Sequence, residues 1–365
     1  MKKFCIAGFG EVMLRLCPQG KLSFAQSLPG NLTATFGGGE ANVCASVAML
    51  GGNSKYLTAL PDNPIAQAFA AQLRSIGTDV SSILFSKAGR MGVYYAEHGS
   101  NMRGSNVLYD REFSTISLLS PEAYDFPAML NGVTHLHLTG ITASLSKNAF
   151  ETTLAIAAKA AGMKITISVD LNYRKKLWNW EQGTDKKALA GRCMKQIVSF
   201  ADIIIGNEED AQDVFGISAK DTVIDAGQLN VSGYKDVASQ LAVKFPQAKY
   251  VAITLRESIS ADHNNWGGML YDCASKQAYF APMNGDEYEP YHIGNIVDRF
   301  GGGDSFCAGL LVALNTPELA ESSKAIRFAV AASALKHTYH GDYNYATRED
   351  VERLMKGSAS GRVQR

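Results

Sequence analysis

Residues 297–310 read V-D-R-F-G-G-G-D-S-F-C-A-G-L, and the rest of the chain is interpreted outward from them. Three consecutive glycines, Gly301, Gly302 and Gly303, run into Asp304, and an apolar run with small residues follows across positions 306–314. The pattern predicts a loop feeding the N-terminus of a buried helix. Unpaired N–H groups at such a start attract anions, and the helix dipole adds to the attraction. Glycine lets the backbone approach a phosphate with no Cβ in the way. A carboxylate at this positive end is expected to stay ionised. Beside a phosphate cradle it can accept a proton from an attacking hydroxyl. A glycine-rich turn with Asp304 as an ordinary helix cap is the competing reading.

Bulk properties frame the choice. The chain has 365 residues, 46% of them hydrophobic, which is ample for a large core. Its 35 basic and 35 acidic residues cancel, and no long basic run marks a nucleic-acid footprint. The six cysteines, Cys5, Cys17, Cys44, Cys193, Cys273 and Cys307, lack C-x-x-C spacing and are expected to be reduced. The apolar run after Met1-Lys2-Lys3 is too short for a signal peptide and reads as a first strand. No stretch approaches the roughly 18 apolar residues that span a membrane. The cytoplasm is the expected location, with no membrane or nucleic-acid partner.

Strand-like runs at 4–8, 55–59, 135–139, 164–170, 203–206 and 250–254 alternate with helical runs at 41–49, 64–75, 147–161, 186–200, 210–215 and 235–245. Such alternation predicts a mostly parallel sheet covered on both faces, with ligands bound beyond the strands' carboxyl ends. Segments 13–36 and 92–118 hold β-like pieces without helices between them, and 218–234 reads as a surface loop. The final third reads as helices at 303–315, 317–337 and 348–355. His135 and His137 share a strand face, but no further ligand stands at a metal-binding spacing, so they read as strand polar residues.

A second glycine cluster, Gly37-Gly38-Gly39-Glu40-Ala41-Asn42, opens a predicted helix near the other end of the chain. Alone it is compatible with a tight turn. Together the two clusters resemble the signatures of the ribokinase-like (PfkB) carbohydrate kinases, one for sugar and one for phosphate. The resemblance extends over nearly the whole chain. It implies one ribokinase-like three-layer α/β/α domain over 1–365, with a mostly parallel central sheet. A small β-sheet lid would come from about 13–36 and 92–118 and carry a homo-oligomer interface. Two departures stand out: Arg299-Phe300 replaces small or hydroxylated residues, and Gly302 replaces alanine. A G-G-G-D form is similar to the branch acting on 2-keto-3-deoxygluconate.

The resemblance assigns Asp304 as general base and Gly301, Gly302 and Gly303 as anion hole. Gly38, Gly39, Asn42 and Glu11 would bind sugar hydroxyls. Tyr94, Tyr109, Arg111, Arg174 and Asp342 would line the pocket for a sugar acid. A neutral sugar needs no pair of guanidinium groups, whereas a carboxylate gains charge-assisted bonds from them. Salt bridges to Asp110 and Asp170 are the alternatives for the two arginines. Arg15 reads as a lid residue or a surface charge.

The nucleotide half rests on Gly206-Asn207-Glu208-Glu209-Asp210, similar to the family's N-x-x-E motif. Asn207 would contact ATP, and Asp210 or Glu209 would organise Mg2+ indirectly through its waters. Thr254 and Arg256 stand at a nucleotide-contacting strand end, where Arg256 replaces glycine and meets either a phosphate oxygen or solvent. Ser333 and His337 would flank the adenine. The chemistry expected is ATP-dependent phosphorylation of 2-keto-3-deoxygluconate to its 6-phosphate. The alternatives are a fructokinase or another neutral-sugar kinase, and a non-catalytic sugar-binding protein. An oxidoreductase is disfavoured because Gly8-Phe9-Gly10 lacks the remaining glycine of G-x-G-x-x-G.

Overall fold

The computed structural model describes residues 4–219 and 231–357. Sixteen strands occur among them: β1 Cys5–Phe9, β2 Met13–Cys17, β3 Thr33–Gly37, β4 Asn53–Pro61, β5 Ile83–Ser86, β6 Gly92–Glu97, β7 Asn106–Asp110, β8 His135–Thr139, β9 Thr166–Asp170, β10 Ile203–Gly206, β11 Tyr250–Ser260, β12 His263–Asp272, β13 Gln277–Ala281, β14 Met283–Asn284, β15 Glu287–Tyr288 and β16 Tyr291–Ile293. The large sheet runs β5-β4-β1-β8-β9-β10-β11-β12-β13, with β16 also on β12. From β5 to β11 all pairings are parallel; β12, β13 and β16 are antiparallel.

Strand periodicity separates two cores. Successive side chains of a strand point to opposite faces. Ala7, Phe9, Ile204, Val251 and Ile253 join one buried cluster with the helices Lys147–Gly162 and Lys186–Val198. Ile6, Ile203, Ile205 and Ala252 join the other, with Gly302–Leu314 and Ser322–Lys336. Helices thus cover both faces, the ribokinase-like α/β arrangement expected. The sheet order reverses direction around β1, which opens a crevice at the carboxyl ends of β1, β8, β9 and β10.

A separate sheet, β3-β2-β6-β7, comes from the two segments that broke the alternation. It is mixed, because β2 pairs with β6 in parallel and the outer pairs are antiparallel. Its β7 is alternately exposed and half-buried, as a one-sided sheet requires.

Two expectations need adjustment. The strand expected at 250–254 continues to Ser260 and turns back into β12, and neither β12 nor β13 was anticipated. Asn264, Asn265, Gly267 and Gly268 in β12 read as loop chemistry. Gly268 is there because a Cβ would lie 2.7 Å from the Phe306 ring and 2.9 Å from Val330. Of the surface loop expected at 218–234, residues 220–230 lie outside the described residues, while the helix Val231–Lys244 takes its last four positions. His135 and His137 are wholly buried, and both rings share the Ser168 hydroxyl at 2.9 and 2.8 Å. Burial pushes both imidazoles down to about 3, and no metal-ligand cluster occurs among the described residues. All six cysteines are free, four of them buried. No described helix is long and apolar enough to cross a membrane.

Candidate active site

The glycine stretch builds its helix start as its spacing demands. Gly301 is the N-cap of Gly302–Leu314, with φ of 78° in the left-handed region. A Cβ there would also sit 2.0 Å from the Asp342 carbonyl oxygen. The first intrahelical bond of this helix is Ser305 N to Gly301 O at 2.9 Å, so the amides of Gly302, Gly303 and Asp304 precede the ladder. Gly303 is exposed and has open space at its Cβ position. Gly301→Ala therefore carries about 1–2 kcal/mol of backbone cost, plus a clash with a fixed carbonyl. The expected outcome is a lower Tm together with a raised KM for ATP. An unchanged Tm and KM would mean that this turn tolerates a side chain.

Asp304 sits in the first turn and accepts a hydrogen bond from Asn42 Nδ2 at 2.7 Å. Asn42 in turn accepts from Gly38 N at 3.3 Å. A Cβ on Gly39 would lie 3.6 Å from Asp304 Oδ1, so the two glycine clusters meet at this carboxylate. Gly38 lies against Glu11, whose carbonyl oxygen would be 2.2 Å from a Cβ. Burial raises the Asp304 carboxyl to about 6, and Asp342 pushes the same way. The Asn42 bond and the charges of Arg174 and Lys336 oppose the shift. The helix dipole therefore does not leave this acid as strongly ionised as expected. A pKa near the working pH makes it a better proton acceptor than an ordinary aspartate.

The next shell was not legible in sequence. Glu40 is buried, accepts from Thr139 Oγ1 at 2.8 Å and Thr142 Oγ1 at 3.0 Å, and is raised to about 7 chiefly by burial. Asp170, at the end of β9, is raised by burial and then by the Asp210 and Asp304 charges. Lys336 is fully buried, donates to the Tyr339 carbonyl at 3.1 Å, and is held down by desolvation against the pull of Asp298, Asp342 and Asp304. An Ala-rich helix gives no hint that its last residue points inward.

The residues expected on the sugar side divide in two. Arg174 is exposed, donates to its neighbour's carbonyl at 3.1 Å, and makes no ion pair among the described residues. Arg111 is buried instead, with Nε 2.8 Å from Glu11 Oε2 and Nη2 closer still. Asp110 pairs with Arg90, so the alternative partner expected for Arg111 is corrected to Glu11. Glu11 keeps Oε1 buried and without a protein partner. The Arg111 guanidinium also lies 5.3 Å from the Tyr109 ring centroid. Tyr94 donates its hydroxyl to Asp342 at 2.8 Å, and Arg15 bonds Asp342 at 2.7 Å and Asp298 at 2.8 Å. Arg15, in β2 of the small sheet, is thus a buried and doubly ion-paired residue of the expected lid segment, not a surface charge. Asp342 is buried among cations and a phenol, and both its carboxylate oxygens are engaged.

The residues expected on the nucleotide side share a cavity of about 490 Å³ lined by Asn207, Glu209, Asp210, Thr254, Arg256, His337 and the glycine loop, together with Arg174, Asp170 and Asp304. Asn207 and Asp210 form a reciprocal capping box, at 2.7 and 3.2 Å, and Asp210 also accepts from Tyr173 N at 2.9 Å. Its carboxylate is spent on backbone amides, which leaves Glu209 as the less committed acid of that motif. The adenine expectation is corrected for Ser333. That side chain is fully buried and donates to Gly302 O at 2.6 Å, bracing the anion loop. His337 lines the cavity but stacks edge-on to Trp266 at 4.9 Å and is pushed down to about 4 by burial, hence neutral.

A profile of the pfkB family of carbohydrate kinases matches residues 8–243 and 271–348. The crystal structure of a 2-dehydro-3-deoxygluconokinase from Thermotoga maritima is similar at TM-score 0.86 and 36% identity, over 97% of this chain and 100% of that one. A 2-dehydro-3-deoxygalactonokinase of Haloferax volcanii is 28% identical over 97% of both chains. A fructokinase of Escherichia coli is 24% identical over 82% of this chain and 83% of its own. With both glycine signatures converging on one carboxylate and the profile spanning most of its length, the chain belongs to the pfkB family of carbohydrate kinases.

Proposed function

We propose that this kinase transfers the γ-phosphate of ATP to the terminal hydroxyl of 2-keto-3-deoxygluconate, giving the 6-phosphate. The observation that carries this reading is Arg174, an arginine without an ion pair among the described residues that lines the cavity holding Asp304 and the anion loop. A substrate carboxylate completes its charge. The similarity to kinases of both keto-deoxy sugar acids supports the same class.

In this mechanism Asp304 accepts the proton of the terminal hydroxyl as its oxygen attacks the γ-phosphorus and the bond to ADP breaks. The amides of Gly302 and Gly303, with Gly301 shaping the turn, stabilise the charge that develops on the transferred group. Asn42 holds the Asp304 carboxylate in register. Glu11 Oε1 accepts from a sugar hydroxyl, and the Arg111 pair holds that carboxylate in place. Tyr94, Tyr109 and Asp342 shape the wall. Asn207, Glu209 and Asp210 offer the oxygen ligands that Mg2+ and its waters prefer, and the ion would neutralise phosphate charge there. The small sheet acts as the lid, excluding water. Exposed Leu108 and Phe113 on and beside it support a homo-oligomer assembled through that sheet. The expected setting is the cytoplasm.

The test is ATP-dependent ADP release with 2-keto-3-deoxygluconate, its galactonate epimer, gluconate, fructose and ribose. Turnover confined to the keto-deoxy acids is expected. Strong turnover of fructose would transfer the assignment to the neutral-sugar kinases and leave Arg174 without a carboxylate to bind.

A further inference from the structure

Two of the departures from the family pattern noted in the sequence, Arg256 and Arg299, come together in space. Arg256 lies just past the middle of β11, opposite Trp266 of β12. Arg299 precedes the glycine loop, and its Nη2 donates back to the same hairpin, to Ser260 O at 3.1 Å and Asn264 Oδ1 at 3.0 Å. The hairpin therefore anchors one arginine and carries the other. Both line the cavity that ends at Gly301, Gly302 and Gly303.

Neither cation makes an ion pair among the described residues. Arg256 is exposed and has no hydrogen bond or ion pair among the described residues. Arg299 bonds only neutral oxygens, and its Nε is buried with no partner. Burial and then the neighbouring Arg256 charge work against the Arg299 cation, and the Asp262 carboxylate, itself bonded to Lys21, offsets only part of that. An anion placed between the two reverses both penalties. A polyphosphate chain carries charge enough for two guanidinium groups and matches their fork geometry.

We propose that Arg256 and Arg299 form a two-guanidinium clamp on the polyphosphate tail of the nucleotide, a contact that rests on the kinase reading above. Nucleotide binding then draws on the tail more than on the base, since Ser333 is turned into the protein and His337 is held against Trp266.

The probe is tripolyphosphate, titrated calorimetrically into the full chain without sugar. Arg256→Ala, Arg299→Lys, Arg299→Ala and the double alanine variant are compared with the parent. Each single alanine change is expected to weaken binding about tenfold, and the double change more than either. KM for ATP should rise in parallel while KM for the sugar acid stays within about twofold. Exposed Arg256 can be replaced without loss of packing, so it keeps the test valid if Arg299→Ala fails to fold. Tripolyphosphate affinity unchanged in the Arg256→Ala and Arg299→Lys variants overturns the clamp. Arginine-dependent tripolyphosphate binding in a protein that phosphorylates no sugar would retain the clamp and reject the kinase substrate. Sugar-acid turnover with an ATP KM indifferent to both arginines would do the reverse.

Discussion

Asp304→Asn is expected to lower kcat by at least about 100-fold while leaving substrate binding nearly intact, within the range typical of losing a general base. The parent should show an acid limb, with kcat/KM rising with pH until about 6 and then levelling, because only the ionised carboxylate accepts a proton. The variant should lose that limb. A stability readout separates this from general damage. The carboxyl is raised above the ordinary aspartate value near 3.9, so the folded protein favours its protonated form. Its ionisation therefore opposes folding at neutral pH, and that opposition fades as pH falls through about 6 towards 4. An uncharged asparagine removes the opposition, so Tm at pH 7 should rise in the variant. Near-parental kcat would sink the general-base role, whatever the Tm.

Arg174→Ala should raise KM for the keto-deoxy acid by roughly ten- to a hundredfold, since each charge-assisted hydrogen bond lost is worth about 1.5–3 kcal/mol. A neutral sugar such as fructose, where turned over at all, should change far less. Lysine at this position should restore only part of the loss, because it cannot reproduce bidentate geometry. A second consequence follows from the charges around Asp304. Arg174 holds that carboxyl down, so removing it should carry the acid limb to a pH above about 6. Equal KM effects on acid and neutral sugars, with the limb unmoved, would remove Arg174 from the site. Arg111 makes the contrasting case. Its loss leaves Glu11 buried without its cation, and the cost appears in stability as well as in KM.

Much of the fold was legible because its signals are local. Short apolar β-rich runs and helical apolar patterns marked six of the large sheet's parallel strands and the helices between them. Glycines at 301 and 38 marked two helix starts, because no other residue allows the turn at one or the close approach at the other. Asn207 and Asp210 were visible as a motif, yet their capping box makes the same residues helix-start chemistry first and metal chemistry second. The antiparallel edge escaped because its asparagines and glycines are buried by neighbours, not by pattern.

By itself the sequence determined the layered α/β arrangement, the two glycine-led helix starts and the presence of an acid at the phosphate end, since each depends on contacts within a few residues. Only the tertiary structure decided how the charges are shared. It gave Arg111 to Glu11, 100 positions away, and Arg15 to Asp298 and Asp342. It turned Ser333 onto Gly302, buried Lys336, and left Arg174, Arg256 and Arg299 around one cavity without ion pairs among the described residues. Electrostatic pairing follows distance and burial in space, and sequence separation carries almost no information about either.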